Sequence, residues 1–203
     1  MDKHMPGKRL PARAATLFER DYRPELDTTP ELLDERANFY QAQIGVLRRV
    51  ELGRIDIITE VLLLASHLAL PHEGHLDAVL RIYGYLKKKH NSRLVLDPMY
   101  PDIDMSVFKG CDWTEFYGKV KEPIPLNAPE PRGKEVNLRL FIDLDHAGEH
   151  LARQSRTRYI AYVNMAPVAW FSKRQATVET SVFGAEFVAM KTAMDAMRAG
   201  VTV

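Results

Sequence analysis

The sequence predicts an α+β chain in which an N-terminal helical segment is followed by a unit of three antiparallel strands and one helix. Three observations carry this: apolar residues recur at helical spacing between Leu32 and Leu86, strict alternation sets in after Lys134, and a proline-rich stretch separates the two. The expected divisions are an irregular lead-in over 1–27, a helical part over 28–97, a Pro-rich linker over 98–133 and a strand-helix unit over 134–203.

Residues 1–27 hold Pro6, Pro11 and Pro24 among many charges, without an apolar period. Thr29-Pro30-Glu31 is a helix-start signal, a hydroxyl at the cap, a proline at the first helical position and an acid in the first turn. The helix it predicts carries Phe39, Tyr40, Ile44 and Leu47 and ends at Gly53. Asp56 is placed to cap a second helix with a stripe of Ile58, Val61, Leu62, Ala65 and Leu68, halted by Pro71. Glu73 opens a third helix, with Leu76, Val79, Leu80 and Tyr83 inward and Lys87-Lys88-Lys89 at its negative end. His72 and His75, one turn apart without a third ligand, read as surface histidines.

Arg93 to Asp97 reads as a short strand, and Pro123 to Pro131 as an extended spacer. Trp113, Phe116 and Tyr117 read as residues that pack the linker on a neighbour. Beyond it, Val136, Leu138, Leu140 and Ile142 point one way, and Arg139, Phe141, Asp143 and Asp145 the other. Thr157 to Asn164 and Val168 to Ser172 follow as two more strands, and Ser181 caps a helix that carries Phe183, Phe187 and Met190.

Composition narrows the functional classes. Lys plus Arg 28 against Asp plus Glu 27 leaves a net charge of +1, so a nucleic-acid contact must rest on a local patch. The one cysteine, Cys111, offers neither an intramolecular disulfide nor a zinc ligand set. No apolar run approaches the roughly 20 residues of a spanning helix, and the basic N-terminus lacks the apolar core of a secretory signal, so no membrane partner is expected.

Phe141-Ile142-Asp143-Leu144-Asp145-His146-Ala147-Gly148 resembles the Asp-x-Asp-x-Ala-Gly motif that closes the first strand of the RNase H domain in Ty1/copia-type retrotransposons. In the same order come Arg153, Ser155 and Thr157, then Trp170-x-Ser172-Lys173-Arg174-Gln175, Thr177-Val178, and Ala185-Glu186-Phe187-Val188-Ala189. Upstream, Phe39-Tyr40-Gln41-x-x-Ile44-Gly45, Arg54-x-Asp56-Ile57, His75-Leu76 and Tyr85-Leu86-Lys87 resemble the segment that follows the polymerase active site in such polyproteins. Each piece alone is common; their shared order, from about Tyr22 onward, is what makes the resemblance specific.

The resemblance implies a reverse-transcriptase tail, thumb- or connection-like, joined to the start of an RNase H domain, within a Pol polyprotein that hydrolyses the RNA strand of RNA/DNA hybrids. Two-metal hydrolysis needs carboxylates around ions about 3.5 to 4 Å apart, and hard oxygen ligands suit Mg²⁺. The resemblance gives the catalytic, metal-binding role to Asp143 and Glu186, with Asp145 as a supporting acid and His146 as a bystander. Arg153, Arg156, Arg158, Lys173 and Arg174 make the region locally basic, and with Gln175 and Ser181 they are the candidate contacts to the hybrid. Ser181 is a helix cap first.

Departures from the pattern temper the activity expected. Arg158 stands where the family commonly has glycine, and Gly184 where many members have a first glutamate. The family's fold continues with a further strand and further metal-binding acids, so only half of the site is encoded, and the expectation is a weakly active or inactive RNase H-type unit. The alternative is a non-catalytic nucleic-acid- or protein-binding module derived from a retroelement. The implied partners are the RNA/DNA hybrid and the rest of the Pol polyprotein, in the cytoplasm or nucleus, within virus-like particles in the family.

Overall fold

The computed structural model describes residues 14–104, 106, 112, 114–118, 126–127, 130, 133–145 and 153–201. The chain is mixed helix and sheet: α1 (Asp34–Val50), α2 (Ile58–Ala65), α3 (Glu73–Lys88), α4 (Thr114–Tyr117), β1 (Leu138–Asp145), β2 (Arg156–Val163), β3 (Ala166–Arg174) and α5 (Val182–Val201). Among the described residues the sheet has three antiparallel strands in the order β1-β2-β3.

Helices α1 to α3 close on one apolar core. Tyr40, Ile44 and Leu47 repeat every three to four residues along α1 and meet Ile57, Val61 and Leu64 around α2 and Val79 and Ile82 of α3, all at most 2% exposed. The Tyr40 hydroxyl is satisfied by the Leu64 carbonyl at 2.6 Å, so the ring is buried without an orphaned donor. No helix among the described residues is long and apolar enough to cross a membrane.

The first helix begins later than the cap signal predicts. Thr29-Pro30-Glu31 stays extended: Leu32 N–H donates to the Pro71 carbonyl at 2.8 Å, and Glu31 bridges to His72. The Thr29 hydroxyl caps a different helix, accepting the Gly74 N–H at 2.9 Å in the first turn of α3, while its own hydrogen goes to Asp27 Oδ1 at 2.6 Å. Gly74 is required there, since a Cβ would collide with the Asp27 carboxylate. Thr29→Ala is expected to cost about 1 to 2 kcal/mol in urea unfolding, the size of a lost N-cap.

Two further readings change. Asp56 does not cap α2; it is held by Arg54 through Nε and Nη2 at 2.9 and 2.8 Å, and this hydrogen bonding keeps its carboxyl below the ordinary range. Arg93 to Asp97 is irregular rather than a strand, with Val95 and Leu96 exposed and, among the described residues, no strand paired with it. Phe116 and Tyr117 are exposed on α4; Trp113 and Cys111 lie outside the described residues, as does most of the stretch from Pro123 to Pro131.

The meander matches the predicted strands. β1 pairs with β2 from Leu138↔Val163 to Asp145↔Arg156, and β2 with β3 from Arg156↔Arg174 to Val163↔Ala166. Asn164 takes the left-handed φ of 54° in the two-residue turn, a conformation that asparagine tolerates better than most residues. Ala185, Ala189 and Ala193, each at most 1% exposed, form the stripe by which α5 packs closely on β1 and β2. The sheet also meets the bundle: α2 packs on β3, and the Trp170 indole N–H donates to the Glu51 carbonyl at 3.1 Å. The helical part and the strand-helix unit are thus in direct contact.

Candidate nucleic-acid interface

Strand alternation decides where each carboxylate lies. Asp143 and Asp145 project from the same face of β1, and that face is shared by Arg158 across the β1–β2 pair. Arg158 Nη1–H donates to Asp143 Oδ2 at 3.1 Å and Nη2–H to Asp145 Oδ2 at 3.4 Å. One guanidinium therefore spans both acids.

The other face belongs to α5. Thr157, next to Arg158 and so on the opposite side of β2, accepts from Gln175 Nε2 at 3.0 Å; the same amide donates to the Ala185 carbonyl of α5, also at 3.0 Å. Gln175, buried, thereby fastens α5 to the sheet rather than facing a ligand. Glu186 follows Ala185 and is exposed on α5. The structure thus joins Asp143 to Arg158 on the face toward the bundle, and carries Glu186 on the helix that covers the reverse face. Among the described residues no three acid, histidine or cysteine side chains converge as a metal-holding group.

This donor set does not fit the two-metal arrangement. The Arg158 guanidinium already engages both Asp143 and Asp145, and a divalent ion brought beside it would face its positive charge. His146 lies outside the described residues.

The basic residues divide between the faces. Arg156, Arg158 and Arg174 share the bundle side, while Lys173, paired with Thr157, lies on the α5 side. Arg153 is exposed just before β2 with a left-handed φ of 51°, an unfavourable backbone for arginine. Ser181 acts as a cap, its Oγ accepting the Gly184 N–H of α5 at 3.0 Å. Arg156, Arg158 and Arg174 line a cleft of about 330 Å³ whose other wall comes from the bundle, with Phe18, Tyr22, Arg23 and His67.

A comparison with known proteins bears on where such a unit comes from. The chain is 26% identical over 148 residues to the retrovirus-related Pol polyprotein from transposon RE1 of Arabidopsis thaliana. That likeness supports a retrotransposon Pol-related origin. The match covers 73% of this chain and 8% of the relative, so the chain spans a small portion of that relative's length. No family model matches it, and no solved structure does.

Glu60 and Arg23 escaped the sequence reading, as did the bridging role of Arg158. Arg158 was legible as a basic residue, but its bridge to two acids follows from hairpin register; counting strand positions across β1 and β2 finds it. Glu60 of α2 sits within electrostatic reach of Arg158, and burial raises its carboxyl above the ordinary range despite that cation. Arg23 reaches the same cleft from a 3₁₀ turn with no local signal.

Proposed function

We propose that this chain is a piece of a retroelement Pol protein, a reverse-transcriptase-derived helical tail joined to an RNase H-like unit, that grips the backbone of RNA/DNA hybrid and hydrolyses it weakly or not at all. The observation that carries this reading is the meander β1-β2-β3 covered by α5, with the motif residues from Asp143 to Glu186 on it in family order, in a chain of Pol-related origin. Guanidiniums suit phosphate backbone, and Arg156, Arg158 and Arg174 cluster on one face. The pairing of Asp143 with Arg158 supports the reduced turnover.

The test uses a labelled RNA/DNA hybrid and the full chain. Expected are a mobility shift that weakens steeply as salt rises, and cleavage close to background in Mg²⁺ that Asp143→Asn leaves unchanged. Absence of hybrid binding would remove the proposal, and fast cleavage abolished by Asp143→Asn would replace its second half with an active hydrolase.

A further inference from the structure

β1 is an edge strand with one side open. Among the described residues it pairs with β2, and no strand lies on its other side. The Asn164 N–H donates to the Asn137 carbonyl at 2.7 Å, and with the unbroken register of β1 on β2 this fixes which backbone groups point inward. Those of Arg139, Phe141 and Asp143 face β2, and those of Leu138, Leu140, Ile142 and Leu144 face the open edge.

The two edges of the sheet are guarded unequally. β3 carries Pro167 beside the register shift at Ala161/Tyr162, ends in Lys173 and Arg174, and is packed by α2. β1 has no proline, lysine or register shift over its eight residues, and Leu138, Phe141 and Ile142 are 45%, 57% and 37% exposed. Such a strand is a template for another strand, and its charges decide which one it accepts. Arg139 lies near one end of β1 and Asp143 and Asp145 at the other, all on one face.

We propose that β1 pairs antiparallel with β1 of a second copy of this chain, about a two-fold axis at Phe141, to make one six-stranded sheet. In that register Leu140 meets the partner's Ile142 and Leu138 the partner's Leu144, so the open backbone groups find each other. Arg139 then stands opposite the partner's Asp143, twice by symmetry, and Phe141 lies against the partner's Phe141. Parallel pairing in register would instead set Asp143 on the partner's Asp143. Sliding the antiparallel register by two residues would set Phe141 opposite the partner's Asp143 or the partner's Arg139. The Asp143 side chain is 68% exposed and gives Oδ2 to Arg158, and a carboxylate has room for a second cation. Arg139 commits Nη2 to the Asn164 carbonyl at 2.6 Å, one of five N–H donors on the guanidinium.

Both copies fit around this seam. α5 packs on β1 and β2, so its axis lies about one strand spacing from the two-fold, and the two copies of α5 come about 9 to 10 Å apart, the distance at which helices pack. On the other face α2 packs on β3, two strands away from the seam, so the helical parts stay clear of the axis. The pairing does not require bound hybrid.

Sedimentation velocity of the full chain over a range of concentrations should show monomer in exchange with a species of twice its mass. Arg139→Glu sets acid against the partner's Asp143, and Asp143→Arg sets guanidinium against the partner's Arg139; each alone should weaken self-association about tenfold or more. An equimolar mixture of the two variants is complementary at both crossings and should regain the dimer. Far-ultraviolet dichroism checks that the variants are folded. If either is not, Phe141→Lys, at an exposed position, sets two cations on the axis and should dissociate the dimer. A monomer at every concentration, assembly beyond two copies, a dimer unmoved by folded variants, or a mixture of the folded charge variants that stays monomeric would overturn the proposal.

Discussion

Leu47→Ala should destabilise the chain by about 3 to 5 kcal/mol, the largest change expected from a single side chain here. Leu47 is completely buried, on the face of α1 that meets α2 and α3, and truncation removes apolar contact while leaving a void that close-packed neighbours fill only in part. In a chain of this length that loss corresponds to a fall of roughly 10 °C in Tm. Leu52→Ala, five residues on and 71% exposed, should change stability by no more than about 0.5 kcal/mol. Equal effects from the two substitutions in urea titrations would mean that α1 does not bury the face described.

Acidification below neutral pH should destabilise the fold through one histidine. His75, expected on the surface, is 2% exposed in the first turn of α3. Its Nδ1 accepts the His72 N–H at 2.9 Å, so Nε2 carries the proton and donates to the Pro24 carbonyl at 2.8 Å. His67 stacks on the ring at 4.3 Å, Tyr40 lies beyond, and Asp27 stands 4.0 Å from Nε2. Burial holds the imidazole below its ordinary 6.5, outweighing the Pro24 carbonyl and Asp27, which favour protonation.

The sign follows from proton uptake. A histidine lowered in the folded state binds its proton more readily when unfolded, so stability is full above about pH 6.5 and declines as pH falls below it, levelling once the folded value is passed. The slope contributed is at most about 1.4 kcal/mol per pH unit. Glu51 and Glu60, both raised by burial, act in the opposite sense, because the folded chain keeps their protons to higher pH. The difference between wild type and His75→Gln, followed by urea midpoints from pH 7.5 to about 5, isolates the histidine. A variant with the same pH dependence as wild type would exclude this origin.

Much of the fold was legible because it is written in local period. The strand read from the alternation is present as β1, with Leu140 and Leu144 half-buried on one face, although Leu138 and Ile142 of the same face stay exposed. The stripe of the third helix likewise became a buried face, whereas in the second only Val61 of the expected stripe is fully buried and Leu64, outside that stripe, takes the neighbouring core position. What failed was local signal answered from afar. Thr29 does cap a helix, but one that begins more than forty residues downstream, a pairing no window of neighbouring residues contains. His75 was misread for the same reason: its partners Pro24 and Asp27 lie about fifty residues upstream.

The candidate site was legible in residue types and not in their facing. Alternation places Asp143 on the strand face opposite Leu140 and Leu144, and the cross-strand register puts Arg158 beside it, a neighbour that residue types alone do not give. Arg158, in a position where the resemblance expects glycine, is the residue whose side chain engages the two aspartates.

Each strand of the meander pairs only with its neighbour in sequence, and the three long N-terminal helices also follow one another closely. Both halves can thus assemble by short loop closures, whose entropy cost is small, before the Trp170 indole finds the end of α1. Loop-closure entropy alone then predicts that the seam between them forms last. A partial opening there would separate the arginine and aromatic walls while both hydrophobic layers stayed intact.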